Sequence, residues 1–368
     1  MKKILIVSTV SRQFYLFEQA NIEVLNSLGY EVHAAANYSD ANERLNHLNI
    51  IRHHINIERS PVLVKNNYKA YKQLKNLMIK EKFDIVHCHS PMGGVIARLA
   101  AKNAGIKNVI YTAHGFHFYK GAPMINWILY YPVEKVLSKI TRTLITINQE
   151  DYNISKKFYA KDNFYIPGIG VDVNEFSNSN ETRQKIRKEF NIPLDAFVIL
   201  SVGELNKNKN HEVVIKALSK INNPKIYYLV CGQGDRMNYL EELILSSNLS
   251  ANVKLLGFRN DVINIYRGAD LFAFPSYREG LSVSLMEAMS MGLPVICSKI
   301  RGNIDLIQSG EGGLLFDPNN PEELAYKIKK LLDDEKKMLE MGNNNLKNIT
   351  KYDISKIKLD MKIVYERI

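Results

Sequence analysis

Short β-branched runs alternate with longer amphipathic segments along all 368 residues, and this alternation constrains the fold more than any other feature. Strand-like runs fall at residues 3–8, 31–35, 50–57, 84–89, 108–112, 144–148 and 163–167, with helix-like segments such as 13–28, 67–82 and 94–104 between them. Such alternation builds a parallel sheet covered by helices on both faces. A Pro/Gly-rich run from Tyr165 to Asp172 breaks the rhythm and marks the start of an interdomain connection. The rhythm then resumes, with strands at 197–203, 225–231, 253–257, 270–275, 294–298 and 313–316. Helices are expected at 211–220, 237–245, 262–268, 282–291, 321–333 and 355–367. A chain of this length exceeds one ordinary core. The expectation is an α/β protein of two doubly wound, Rossmann-like domains, residues 1–173 and 174–352, followed by a terminal helix at 353–368.

Hydrophobic residues make up 46% and charged residues 24%, the balance of a globular protein. No apolar run reaches the roughly 18 residues of a membrane span. The start, Met1-Lys2-Lys3-Ile4-Leu5-Ile6-Val7-Ser8, has too short an apolar run for a signal peptide and reads as a first buried strand. Cys88, Cys231 and Cys297 are dispersed without metal-ligand spacing, which points to a reducing compartment. The net charge of +11 is uneven: residues 1–173 hold 22 Lys+Arg against 13 Asp+Glu, hence +9, and the remainder holds 27 against 25, hence +2. A Lys-rich composition explains part of the excess but not its asymmetry. The bias suits an anionic partner: acidic lipid headgroups, a phosphorylated acceptor or nucleic acid.

The stretch from Phe274 to Ile296 carries the most chemistry. An apolar strand enters a loop that ends in Glu279-Gly280, and a helix then starts at Leu281-Ser282 and carries Glu287 two turns in. Backbone N–H groups at a helix N-terminus suit a diphosphate, and Gly280 lets the backbone approach it. Two carboxylates flanking such a site suit the hydroxyl pairs of a nucleotide sugar; the alternative is a pair of solvated charges. A donor-rich loop, Gly203 to His211, follows another strand and places Lys209 where it can reach phosphate. Gly232-Gln233-Gly234 makes a turn after the next strand. In the first half, His114-Gly115 follows a strand end, where α/β sheets bind ligands. His87 and His89 end a neighbouring strand and read as structural, or as lining an acceptor. No Gly-x-Gly-x-x-Gly follows the first strand, which argues against a dinucleotide oxidoreductase.

The Phe274–Ile296 stretch resembles the Glu-x7-Glu signature of retaining family-4 glycosyltransferases, including Pro275-Ser276 before it and Ala288-Met289, Gly292 and Pro294-Val295 after it. The resemblance covers nearly the full length and is strongest from 197 to 320. It implies the GT-B fold, two such domains facing a cleft, with the terminal helix crossing back to the first domain. It implies a UDP-sugar donor, with Lys209 at the diphosphate and Glu279 and Glu287 sharing the transferred sugar and the ribose. Gly280, Leu281 and Ser282 then line the diphosphate, Gly232 and Gly234 lie near the nucleotide, and Arg259 contacts the base. His114 contacts the donor sugar, with His117 in support. Two departures stand out. Glu204 occupies the place of a usual arginine, for which Lys207 or Arg278 has to compensate. The Ser8–Phe14 loop replaces a usual Gly-Gly, leaving Ser11 and Arg12 as side-chain donors or acceptor contacts.

No Asp-x-Asp occurs, so the expected enzyme is metal-independent and needs no cofactor beyond its donor. Residues 111–119 and 145–151 resemble bacterial capsule and exopolysaccharide enzymes, which implies a lipid-diphosphate-linked saccharide acceptor. Residues 117–139 interleave Phe118, Tyr119, Trp127, Tyr130 and Tyr131 with Lys120, Lys135 and Lys139, a pattern that suits a membrane interface. The alternative is that Ile125, Leu129 and Val133 pack a helix onto the sheet. The expected location is cytoplasmic, peripheral on the inner face of the cell membrane, with an anionic membrane surface as partner and no nucleic acid. The competing readings are a non-catalytic nucleotide-sugar-binding partner and a UDP-sugar epimerase of the same fold.

Overall fold

The computed structural model describes residues 1–39, 42–176 and 180–368. The chain forms two compact units, Met1–Ile169 together with Ile354–Ile368, and Gly170–Asp353. The sequence expectation had put the first boundary at residue 173.

The first unit runs β1 (Lys3–Val10), α1 (Arg12–Phe17), α2 (Gln19–Ser27), β2 (Glu31–Asn37), β3 (Ile51–His54), α3 (Val64–Glu81), β4 (Ile85–His89), α4 (Pro91–Asn103), β5 (Val109–Ala113), α5 (Met124–Leu137), β6 (Thr143–Thr146), α6 (Gln149–Ser155) and β7 (Asp162–Tyr165). The second runs α7 (Asn180–Glu189), β8 (Phe197–Val202), α8 (His211–Ile221), β9 (Ile226–Cys231), α9 (Met237–Ser246), β10 (Val253–Leu255), α10 (Val262–Gly268), β11 (Leu271–Phe274), α11 (Val283–Ser290), β12 (Val295–Ser298), α12 (Asn303–Leu306), β13 (Gly313–Phe316), α13 (Pro321–Leu332) and α14 (Glu335–Ile349). The last helix, α15 (Ile354–Glu366), belongs to the first unit, where it packs on α2.

Every strand expected from the sequence is present. Both sheets are parallel throughout, in the orders β3-β2-β1-β4-β5-β6-β7 and β10-β9-β8-β11-β12-β13. In each order the direction of crossover reverses once, between β1 and β4 and between β8 and β11. Open parallel sheets bind ligands beyond the carboxyl ends of the strands at such switch points. The central strands are buried on both faces, which is why β11 reads as a continuous apolar run rather than an alternating one, while the equally buried β4 carries His87 and His89.

Two helices differ from the sequence expectation in ways that bear on function. The segment expected as one helix at 13–28 is broken at Glu18, whose φ of −113° ends α1 and begins α2. This turn carries the fully buried Glu18 side chain inward. In α5 the buried face is aromatic: Trp127, Tyr130 and Tyr131 pack against the first-unit core, with Tyr131 5.4 Å from the Phe118 ring and 5.5 Å from Phe158. Ile125, Ile128, Leu129, Val133 and Val136 face outward, between 44% and 62% exposed. The packing alternative for Ile125, Leu129 and Val133 therefore has the helix face reversed. Arg98 of α4 anchors α5 from beneath: it donates to Glu134 Oε2 at 2.8 Å and to the Gly94 carbonyl, and stacks on Tyr111 at 4.0 Å.

Candidate active site

Two loops meet at the switch point of the second sheet, one after β8 and one after β11. They are sewn together by backbone and amide contacts: Tyr277 N–H donates to the Asn208 carbonyl at 2.8 Å, and Asn208 Nδ2 donates to the Arg278 carbonyl at 2.9 Å. Asn210 takes a left-handed conformation, φ 53°, which Asn tolerates better than most residues, and its amide bridges the carbonyls of Pro275 and Pro318. The result is a fixed platform for Lys209. The lysine stem lies against Gly203, where an added Cβ would come within 3.3 Å of it. Its Nζ sits 4.9 Å from the Phe274 ring and donates to Glu279 Oε1 at 2.8 Å, with both side chains largely buried. The structure thus joins two of the three residues assigned a catalytic role from the sequence.

Beyond Glu279 the chain passes Gly280 and Leu281 to Ser282, which caps α11 by accepting from Leu285 N–H. The Gly280 carbonyl fills the space of a missing side chain at Gly302, whose φ is 78°. Glu287 faces Tyr266, whose hydroxyl lies 3.0 Å from Glu287 Oε2 and 2.9 Å from the Ser284 carbonyl. Burial pushes the Glu287 carboxyl above its usual range, the Tyr266 hydrogen bond opposes this, and Glu175 adds to it.

The remaining sequence candidates have structural partners of their own. An added Cβ at Gly232 would lie 1.8 Å from the Gly203 carbonyl oxygen, and one at Gly234 would lie 2.3 Å from that of Leu205. These glycines let the turn after β9 press on the loop that carries Lys209. Arg259 makes paired bonds to Asp261 at 2.8 and 2.9 Å and reaches Glu189 at 2.9 Å. Glu204 is exposed and accepts from Asn206, while Lys207 and Arg278 are exposed.

The first unit concentrates its polar groups at its own switch point. Glu18 follows β1, His89 ends β4 and His114 follows β5. His89 Nδ1 lies 3.1 Å from Glu18 Oε1 and 3.1 Å from His114 Nε2. Gln13 Nε2 donates to Glu18 Oε1 at 2.9 Å and lies 3.4 Å from His114 Nε2, and Asn21 donates to Glu18 Oε2 at 2.7 Å. Burial raises the Glu18 carboxyl to about 7, against the two amide hydrogen bonds. Burial lowers His114 to about 4, and holds His89 well below the usual imidazole range. His87 completes the row, bonded to Thr112 and to Tyr365 of α15. The His117 ring lies 4.7 Å from that of Tyr130, tilted by 31°, Ser11 is buried and Arg12 is exposed.

Residues 3–148 match the family described as glycosyl transferase 4-like, and residues 182–348 match glycosyl transferases group 1. EpsD of Bacillus subtilis (strain 168), named as a glycosyltransferase, is 36% identical over 99% of this chain and 96% of its own length. This chain belongs to the group 1, 4-like glycosyltransferases. The Escherichia coli UDP-Gal:alpha-D-GlcNAc-diphosphoundecaprenol alpha-1,3-galactosyltransferase is 33% identical over 78% of this chain and 77% of its own. Staphylococcus aureus CapM, named for capsular polysaccharide biosynthesis, is 29% identical over the full chain and 96% of its own. The crystal structure of Anabaena Alr3699/HepE in complex with UDP superposes with a TM-score of 0.82 at 20% identity, covering all of both chains, which shows the shared GT-B fold.

In this glycosyltransferase, sequence reasoning missed Glu18 and Gln13. A carboxylate inside an amphipathic pattern reads as a solvated helix position, and nothing local announces the break that turns it inward. His89 carried a signal, a second histidine in a wholly buried strand that already holds His87, but its partner lies 71 residues away.

Proposed function

We propose that this glycosyltransferase moves a sugar from a UDP-sugar to a lipid-diphosphate-linked saccharide in bacterial surface-polysaccharide assembly, with retention of configuration and without a metal ion. The observation that carries the reading is the Lys209–Glu279 pair at the second switch point. A lysine held there is a ready counter-charge for a leaving diphosphate, and the carboxylate beside it accepts from sugar hydroxyls. The bond from the anomeric carbon to the diphosphate oxygen breaks. The acceptor oxygen bonds that carbon on the same face, and its proton passes to the departing phosphate. The acceptor class is supported by relatives whose names carry diphosphoundecaprenol-linked saccharides, and the donor by fold neighbours solved with UDP and UDP-glucose. Incubation of the protein with a panel of UDP-sugars and a lipid-diphosphate saccharide tests the whole reading. Release of UDP with a glycosylated lipid supports it. UDP binding without turnover favours the non-catalytic partner, and an altered sugar without an acceptor favours an epimerase.

The diphosphate role of Lys209 has its own test. Lys209→Ala is expected to weaken UDP at least about tenfold, or ~1.4 kcal/mol, while free uridine binding stays nearly unchanged. Isothermal titration measures both, and equal losses for the two ligands would show that the lysine only supports its loop.

A peripheral location on the inner face of the cell membrane fits the first unit. Among the described residues, no helix is long and apolar enough to cross a membrane. The outward aliphatic row of α5 is bordered by Lys135 and Lys139, whose Nζ atoms lie 5.6 and 5.0 Å from the exposed Tyr159 ring. Apolar side chains flanked by lysines suit an anionic bilayer surface. Binding to anionic vesicles is expected to weaken with added salt. Replacing Lys120, Lys135 and Lys139 with Ser should reduce it by at most about 1 kcal/mol per lysine. Co-sedimentation measures this; a wild type that ignores anionic vesicles at low salt would refute it.

A further inference from the structure

The cluster around His114 fixes a proton position by elimination. His89 is wholly buried, and among the described residues its Nε2 has no hydrogen-bond partner, whereas its Nδ1 lies within reach of two groups. A buried N–H without an acceptor is rarely tolerated, and a bare ring nitrogen is less costly. The proton of His89 therefore sits on Nδ1 and is directed at Glu18 Oε1 and His114 Nε2. The Gln13 amide turns its nitrogen toward the same two atoms, since an amide oxygen there would oppose the Glu18 carboxylate. His114 Nε2 thus faces N–H donors from Gln13 and His89, while the acceptor Glu18 Oε1 is 3.9 Å away, beyond hydrogen-bond reach. The proton of His114 is left on Nδ1. Among the described residues the hydrogen bonds of His114 are made at Nε2 and none at Nδ1, and the side chain is 29% exposed.

We propose that Glu18 is a positioning residue which, through Gln13 and His89, holds His114 as the neutral Nδ1–H form, so that His114 presents a fixed hydrogen-bond donor to a sugar hydroxyl. Glu18 orders both donors: Gln13 and His89 each bond its Oε1, and Asn21 secures Oε2. The sugar contact rests on the proposed transferase reading; the proton placement does not. The ligand atoms of Glu18, His89 and His114 all lie within 4.8 Å of one another, which is also the spacing of a divalent-cation site. Coordination through His89 Nδ1 would move its proton to Nε2, the buried nitrogen that lacks an acceptor, whereas metal-bound histidines normally donate from their other nitrogen. The proton network is accordingly the occupant the structure favours.

Long-range proton–nitrogen correlation spectra of 15N-histidine-labelled protein, with His114 assigned from His114→Gln, test the placement in the ligand-free enzyme. Above the Glu18 value of about 7, where its carboxyl is ionised, the wild type is expected to show a protonated Nδ1 and a bare Nε2 at His114. Glu18→Gln and, as a second variant should that one not fold, Gln13→Ala should each give a mixture of tautomers. Sugar transfer should fall about tenfold or more in kcat, with UDP affinity changed by less than about twofold. A tautomer shift without loss of transfer would keep the placement and remove His114 from the transfer reading. A protonated Nε2 in the wild type, or an unchanged tautomer in both variants, would overturn the placement. Stoichiometric Zn²⁺ binding abolished by His89→Gln would replace it with a cation site.

Discussion

Glu279→Ala is expected to lower the turnover of sugar transfer by about a hundredfold, or ~2.7 kcal/mol of transition-state stabilisation. Two losses combine. On the proposed reading the carboxylate no longer accepts from the transferred sugar, and Lys209, which Glu279 holds at 2.8 Å, loses the partner that aims it. The second loss predicts strong coupling. A double variant with Lys209→Ala should be little worse than the poorer single one, because groups that act as a unit are not additive. Glu279→Gln separates the roles, since it keeps an acceptor oxygen and removes the charge. The fold should survive, because Glu279 lies on the loop between β11 and α11 and inside neither element. Steady-state kinetics with thermal melts as a control measure this, and near-normal turnover in a folded Glu279→Ala enzyme would remove the residue from the site.

Glu134→Ala is expected to produce the largest loss of stability, roughly 3–5 kcal/mol, because it strands a buried guanidinium. Arg98 is 1% exposed and its charge is met by Glu134. For a unit of this size the loss corresponds to a melting shift on the order of 10 °C. Replacing both partners, Arg98→Met with Glu134→Leu, should recover much of it, since an apolar pair of similar volume avoids burying charge. Calorimetry reads both variants; equal destabilisation by the single and double changes would mean that the pair packs α5 rather than balancing charge. UDP binding should be unaffected, because Glu134 and Arg98 belong to the first unit and Lys209 and Glu279 to the second.

The strands were legible because their signal is local. A strand buried on both faces is mostly apolar, and β5, β11 and β12 are such strands. The loop after β11 was legible for a related reason, since a helix that follows a short loop announces itself through Ser282 and Gly280. Which side of a helix faces inward was not legible for α5. Tyr and Trp bury as readily as Ile and Leu, so an apolar helix can present either face. Gly232 and Gly234 drew attention as ligand contacts, and the structure adds a reason of backbone packing that no single strand–turn sequence could reveal. Arg259 has acidic neighbours, one of them 70 residues earlier in α7, and such pairings depend on the folded sheet order.

The return of α15 to the first unit has a consequence for the order in which the protein can mature. Ile357, Met361, Val364 and Tyr365 are buried in the same core as Ile4, Ile6 and Phe14, and the Tyr365 hydroxyl meets His87. The second unit, by contrast, is one uninterrupted stretch, Gly170–Asp353. On the ribosome, where earlier-made domains ordinarily fold first, the half that begins first is therefore the half that closes last. Until residues 354–368 emerge, its core is missing a wall, and the histidine row lacks the hydroxyl that seats it. The second unit can be finished while its companion still waits for α15, so this chain is in effect one domain with another spliced into it.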